Sequence, residues 1–184
     1  MSDVTGADDG TPVVRLRRVE DEDVEVFFEH QADPLAVEMA AFPARDRDQV
    51  EAHWARLRAD GSLVTRTIVA DGQVAGNIGC WPDGGQYFLG YWIGRDWWGR
   101  GVASQALSRL LDEVPVRPLH AHVAAHNVGS IRVLEKCGFR RDREQEALAP
   151  ASDDGVEELA FVLEAAVVTE PGSGRPARPE DPPG

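Results

Sequence analysis

Tyr91-Trp92-Ile93-Gly94-Arg95-Asp96-Trp97-Trp98-Gly99-Arg100-Gly101-Val102-Ala103 is the stretch on which the fold turns. It reads as a strand, a loop carrying Gly99 and Gly101, and a helix that begins near Val102. Val102, Ala106, Leu110 and Val114, joined by Leu107 and Leu111, form a helical stripe that Pro115 ends. Residues 119–125 then alternate as a strand. A strand–helix–strand unit of this length requires a parallel pair of strands. The glycines allow positive φ and close approach to a ligand. The helix start supplies unpaired N–H groups and partial positive charge, the chemistry of a phosphate site, and Arg100 adds a formal charge. A plain left-handed connection between strand and helix has the same glycines, so Gly99-Arg100-Gly101 alone does not decide.

Working outward, residues 13–19 read as a first strand. Val24, Phe27 and Phe28 place a helix over residues 21–30. Asp46 and Gln49 make a capping-box signature ahead of Val50, Trp54 and Leu57, a second helix that Gly61 ends. Residues 65–70 and 73–81 flank Asp71-Gly72, a hairpin signal, and the turn at residues 82–85 leads into a strand at 87–93. Downstream, residues 128–136 form a short helix stopped by Gly138, and residues 140–146 and 158–163 read as closing strands. The order is β-α-α-β-β-β-α-β-α-β-β. The fold class expected is mixed α/β, a mostly antiparallel sheet with one central parallel pair and flanking helices.

A second segment, Asn127-Val128-Gly129-Ser130-Ile131-Arg132-Val133-Leu134-Glu135-Lys136-Cys137-Gly138-Phe139, follows the parallel partner strand. Together the two segments resemble the GNAT acetyltransferase superfamily, and more narrowly its ribosomal-protein-alanine N-acetyltransferase branch, over about residues 15–163. That branch reads Y-W-I, then W-G-x-G-x-A, later N-x-x-S and K-x-G-F. The resemblance implies that the fourth and fifth strands splay apart around the pantetheine arm of acetyl-CoA, here at Trp92, Ile93 and Gly94. It implies a pyrophosphate loop at Gly99, Arg100, Gly101, Val102, Ala103 and Ser104. Asn127 matches the residue that hydrogen-bonds the cofactor arm, and Ser130 one proposed to protonate the departing thiolate. Two positions depart from the wider pattern. Trp98 stands where the superfamily has Gln or Arg, as is usual in this branch. Phe88 stands where relatives carry a carboxylate able to orient a base water.

Several of these residues have a second reading. Asn127 precedes a helix and suits an N-cap, and Ser130 at N3 is an ordinary helix residue. His120 and His122 share one face of a strand, and His126 precedes Asn127. Histidine titrates near neutrality and is a candidate for the missing base, yet such residues also serve as packing or surface groups. No carboxylate or cysteine beside them suggests a metal, and no metal is expected. Trp92, Trp97 and Trp98 suit either a channel wall or core packing. Arg132, Arg140, Arg141 and Arg143 are a basic concentration in which one or more side chains can reach the cofactor 3′-phosphate, or stay solvated.

The chain of 184 residues carries a net charge of −13, which argues against non-specific nucleic-acid binding. No apolar run approaches the ~18 residues of a membrane span. Cys80 and Cys137 are too few for a disulfide framework and are expected as buried free thiols. One domain over residues 13–164 is expected, between a flexible acidic start (1–12) and a disordered proline- and glycine-rich tail (165–184). The acidic, small-residue start does not read as a secretion signal, so the cytoplasm is the expected compartment. The expected function is acyl-CoA-dependent N-acyl transfer to a primary amine. A catalytically silent acyl-CoA-binding sensor is the alternative that Phe88 raises. A homodimer is left open.

Overall fold

The computed structural model describes residues 10–41, 43–148 and 155–165. The expected flexible start falls mostly outside these residues, as does the expected disordered tail beyond residue 165. The chain begins with strand β1 (Val14–Arg17) and helix α1 (Asp23–Ala32). Helix α2 (Pro34–Ala40) and helix α3 (Arg47–Ala59) follow, then the antiparallel strands β2 (Val64–Ala70), β3 (Gln73–Asp83) and β4 (Gln86–Ile93). A 3₁₀ turn (Arg95–Trp97) leads to α4 (Val102–Glu113), β5 (Leu119–Ala124), α5 (Val128–Lys136), β6 (Arg140–Arg141), α6 (Arg143–Leu148) and β7 (Glu158–Leu163). Among the described residues, seven strands form one sheet in the order β1-β2-β3-β4-β5-β7-β6. Every pairing is antiparallel except β4 with β5. No described helix is long and apolar enough to cross a membrane.

Local chemistry explains most boundaries. Asp46 accepts from Gln49 N at 2.8 Å while the Gln49 side chain accepts from Asp46 N at 3.1 Å, the reciprocal cap read in the sequence. The β2–β3 hairpin turns at Asp71-Gly72, both with positive φ. The next turn is tighter than expected: β3 runs on to Asp83, paired with Gln86, and Gly84-Gly85 make the reversal.

Two expectations are corrected. An additional helix, α2, lies between the first two. Asp33 caps it, accepting from Leu35 N and Ala36 N, and Pro34 occupies its first turn, where a missing N–H has no cost. Residues 140–146 are not one strand. Only Arg140 and Arg141 pair with β7; Asp142 then accepts from Gln145 N at 3.1 Å and starts α6.

Two apolar clusters sandwich the sheet. Ile68, Ile78, Leu89, Leu119 and Phe161 pack against Leu107 and Leu110 of α4 and Leu134 of α5. On the opposite face Val24 and Phe27 of α1 meet Val50 and Trp54 of α3, with the Phe27 and Trp54 rings 4.7 Å apart. Full burial of such side chains stabilises by about 1.5–3 kcal/mol each. The helix carrying Gly101 and the helix carrying Ser130 are thereby clamped to the same face of the sheet.

Candidate active site

Strands β4 and β5 are paired only at Tyr87↔Leu119 and Phe88↔His120. Beyond that point each keeps its outer neighbour: β4 stays bonded to β3 as far as Ile93↔Gly76, and β5 to β7 as far as Ala124↔Glu158. Their facing edges therefore part with backbone polar groups unpaired to one another, the expected splay. A cavity of about 490 Å³ opens there, and a second of about 120 Å³ fills the wedge between the strands. Ala40, Tyr91, Asn127 and Ser130 line both, so the two are continuous in their walls.

Of the residues singled out in the sequence, Trp92, Ile93, Gly99, Gly101, Val102, Ala103, Ser104, Asn127 and Ser130 line the larger cavity. Gly94 and Arg100 do not. The Gly94 N–H donates to Ala75 O at 2.9 Å, closing β4 onto β3. The Arg100 guanidinium lies over the Trp97 ring, 4.7 Å from its centre, and 3.9 Å from Asp71. Arg132 is the basic side chain that α5 contributes to the cavity wall. Arg140 and Arg141 pair instead with Glu164 and Glu146.

The start of α4 suits an anion. Gly101 caps it at φ 77°, a left-handed conformation, and supplies no side-chain hydrogen bond. The first N–H groups of the helix have no intrahelical partner by geometry and carry the positive end of its dipole. Trp98, which replaces the wider family's polar residue, donates its indole N–H to Ile93 O at 2.8 Å. The loop is thus pinned to the end of β4 by a side chain as well as by its own backbone, the Trp97 N–H donating to Gly94 O at 2.9 Å.

Asn127 caps α5, accepting from Ser130 N at 3.0 Å, and its amide also donates to Met39 O at 2.9 Å. One side chain therefore fixes Ser130 and ties α2 to the cavity rim. Tyr91, quoted in the strand motif but given no role there, lines both cavities, and its hydroxyl is 3.4 Å from Ser130 O. Burial pushes the phenol up to about 12, so it stays protonated at physiological pH. The α2 wall, Ala36, Met39 and Ala40, was also missed; Asp33-Pro34 was the available signal, a helix start with proline in the first turn.

The remaining candidates separate. His120 is buried against the Phe88 ring, with Nε2 3.4 Å from the Gln86 amide. His126 Nε2 is 2.8 Å from Glu38 O. His122 lines the smaller cavity. Cys80 is buried as expected, whereas Cys137 is only half-buried and its thiol donates to Ser104 O at 3.6 Å. Burial raises both thiol pKa values, which disfavours a nucleophilic thiolate. Among the described residues, no group of three or more His, Cys, Asp or Glu side chains could hold a metal ion.

Residues 14–140 match the family model described as an acetyltransferase (GNAT) domain. A protein of Bacillus licheniformis named "Uncharacterized N-acetyltransferase p20" is 26% identical over 145 residues, covering 72% of this chain and 82% of its own. Among solved structures, spermidine N-acetyltransferase from Vibrio cholerae, in complex with CoA and spermine, superposes with a TM-score of 0.69 at 14% identity, over 82% of this chain and 95% of the other. RimJ of Mycobacterium smegmatis, in complex with CoA-disulfide, superposes with a TM-score of 0.66 at 23% identity, over 88% and 86%.

Proposed function

Because the chain belongs to the GNAT acetyltransferase family, we propose that it moves an acetyl group from acetyl-CoA to a primary amine by direct attack, without an acyl-enzyme. The observation that carries this reading is the parting of β4 and β5, which leads into a cavity running to the start of α4, where no side chain caps the helix. The N–H groups of Val102, Ala103 and Ser104, with Gly99 and Gly101, would hold the pyrophosphate. The open edge of β4 at Trp92 and Ile93 would pair with the pantetheine arm, and Arg132 would meet the 3′-phosphate. The CoA compounds in the two solved structures support the same ligand for this cavity.

Acetyl transfer requires a neutral amine, a polarised thioester carbonyl and a protonated thiolate. Holding amine and thioester together removes much of the entropic barrier. A fixed backbone N–H on the open edge of β4 is the kind of preorganised donor that stabilises charge developing on the carbonyl oxygen. Phe88 supplies no carboxylate to the amine. An α-amino group, with an unperturbed pKa of about 8 against about 10.4 for lysine, is far more often neutral at physiological pH. The acceptor favoured is therefore a protein or peptide N-terminus or a small α-amine.

The reading is tested by thiol release from acetyl-CoA and succinyl-CoA against a panel of α-amines, polyamines and lysine peptides. Turnover with α-amines is expected. Acyl-CoA binding with no thiol release for any amine would replace it with the silent sensor.

A further inference from the structure

On the face of the sheet opposite α4, the ring of Phe88 is flanked by two imidazoles, with His120 5.6 Å and His122 5.4 Å from its centre. Histidines from the neighbouring strand thus enclose the Phe88 ring on that face. Their surroundings differ sharply. His120 is buried beneath Phe88 beside Gln86. His122 is two residues farther along β5, past the last β4–β5 pair, and lines the wedge cavity with Gly90 and Tyr91. Its side chain is 43% exposed, so it can be reached from solvent.

We propose that His122 is the base that takes the proton from the acceptor ammonium, with Glu158 as its positioning residue. Glu158 stands diagonally across on β7, since His122 pairs with Ala160 and Ala124 with Glu158. Its carboxylate lies 3.9 Å from His122 Nδ1, within ion-pair reach of that edge of the ring. With Nδ1 the ring nitrogen nearer Glu158, Nε2 is the one left to accept the proton. The proton donors stand elsewhere on the same cavity: Ser130 from α5 and the protonated phenol of Tyr91. Of the titratable groups, Glu158 of β7 approaches the His122 ring, Tyr91 of β4 shares its cavity wall, and His120 lies against the same Phe88 ring.

The step balances. His122 removes one proton from R-NH₃⁺, and the amine lone pair forms the N–C bond. The C–S bond breaks with its pair on sulfur, the thiolate takes a proton from the Ser130 or Tyr91 hydroxyl, the second amine proton restores that donor, and His122 releases its proton to solvent. No redox partner or metal is needed.

This inference rests on the acetyl-transfer reading, and the experiment separates the two. Thiol release is followed with acetyl-CoA and alaninamide for the parent, His122→Ala, His122→Gln and Glu158→Gln, with acetyl-CoA affinity measured by calorimetry. The expected result at neutral pH is a loss of kcat of about tenfold or more in both His122 variants, toward the lower end of general-base effects. Acetyl-CoA affinity should be unchanged. The His122→Ala rate should climb toward the parent as pH is raised and the ammonium deprotonates unaided, and added imidazole should restore part of it. Glu158→Gln should lower kcat less. Parental rates in both His122 variants at neutral pH overturn the base role and leave the acetyl-transfer reading standing. A parent that binds acetyl-CoA but releases no thiol with alaninamide overturns both for α-amines.

Discussion

A Cβ built on Gly76 would lie 2.0 Å from the carbonyl oxygen of Trp92. The two strands come together this closely beside an irregularity in register: Ile68 pairs with Gly76 but Val69 with Val74, which leaves Ala75 as the extra residue on β3. The carbonyl of Ala75 takes the Gly94 N–H, so the bulge and the glycine together hold the end of β4 against β3 and away from β5. Gly76→Ala must displace backbone rather than a flexible side chain. It is expected to destabilise by about 1–3 kcal/mol, as overpacking does. The folded fraction should also bind acetyl-CoA more weakly, because Trp92 and Ile93 move. Urea unfolding and calorimetry on the same preparation check both parts.

The helix start gives a charge test. Gly101→Asp places a negative charge beside the first N–H groups of α4 and is expected to weaken acetyl-CoA binding about tenfold or more, equivalent to about 1.4 kcal/mol. Arg100 and Arg132 should separate. Arg100 is engaged with Trp97 and Asp71, whereas Arg132 lines the cavity. Arg132→Ala should cost more affinity for CoA than for dephospho-CoA, and the difference should shrink as salt is added. Arg100→Ala should change either affinity less.

How far the sequence reached follows from the range of the forces involved. The helix caps at Asp46 and Asn127 and the turn at Asp71-Gly72 are local hydrogen-bond and dihedral choices, and they were legible. The parallel β4–β5 pair was legible because the helix between the strands leaves no antiparallel route. Residues 140–146 were misread because alternation looks alike in a strand and in a cap followed by a short helix. Arg100 was placed in the phosphate loop on its charge and on the family resemblance, and its stacking on Trp97 depends on how the 3₁₀ turn folds back. Tyr91 and His122 were visible as residue types, but their meeting at the wedge depends on where β4 and β5 stop pairing. That distance is tertiary.

Asp23 gives a stability prediction with a pH sign. It is buried, receives both guanidinium nitrogens of Arg17 at 2.5 and 2.7 Å, and accepts from Glu20 N at 2.9 Å and the Thr67 hydroxyl at 2.6 Å. Burial opposes its ionisation, but the hydrogen bonds from Arg17, Glu20 N and Thr67 outweigh it and hold the carboxyl below its ordinary value. A depressed folded pKa means that the stabilisation is fully present above the unfolded value of about 3.9 and is lost as pH falls through the folded value. Asp23→Asn should therefore destabilise by about 3 kcal/mol near neutrality. Against the parent, the difference should narrow as pH drops below about 4. Paired denaturation curves at neutral and acidic pH measure it.

Ser130 and Tyr91 are the hydroxyl side chains that line both cavities, and the proposed proton delivery to the thiolate is testable at each. Ser130→Ala is expected to lower kcat about a hundredfold at saturating acetyl-CoA and amine, the low end for an acid–base group, with acetyl-CoA affinity nearly unchanged. Its contribution would appear only as charge develops on sulfur, and a thiolate is already a good leaving group. Tyr91→Phe removes a hydroxyl whose 3.4 Å contact to Ser130 O is too long to bind it strongly. It should reduce kcat less than Ser130→Ala. Because burial keeps the phenol protonated up to about 12, the parent should show no alkaline loss of rate from this group below that pH. The variants, not the pH profile, therefore discriminate the two donors. Asn127→Ala serves as the positional control. It removes the cap on Ser130 N and the tie to Met39 O together, so it should cost about 1–2 kcal/mol of stability and lower affinity and rate at once. A Ser130→Ala enzyme as fast as the parent, beside a Tyr91→Phe enzyme slowed tenfold or more, would move the donor from α5 to β4. Both variants at the parental rate would leave water as the proton source.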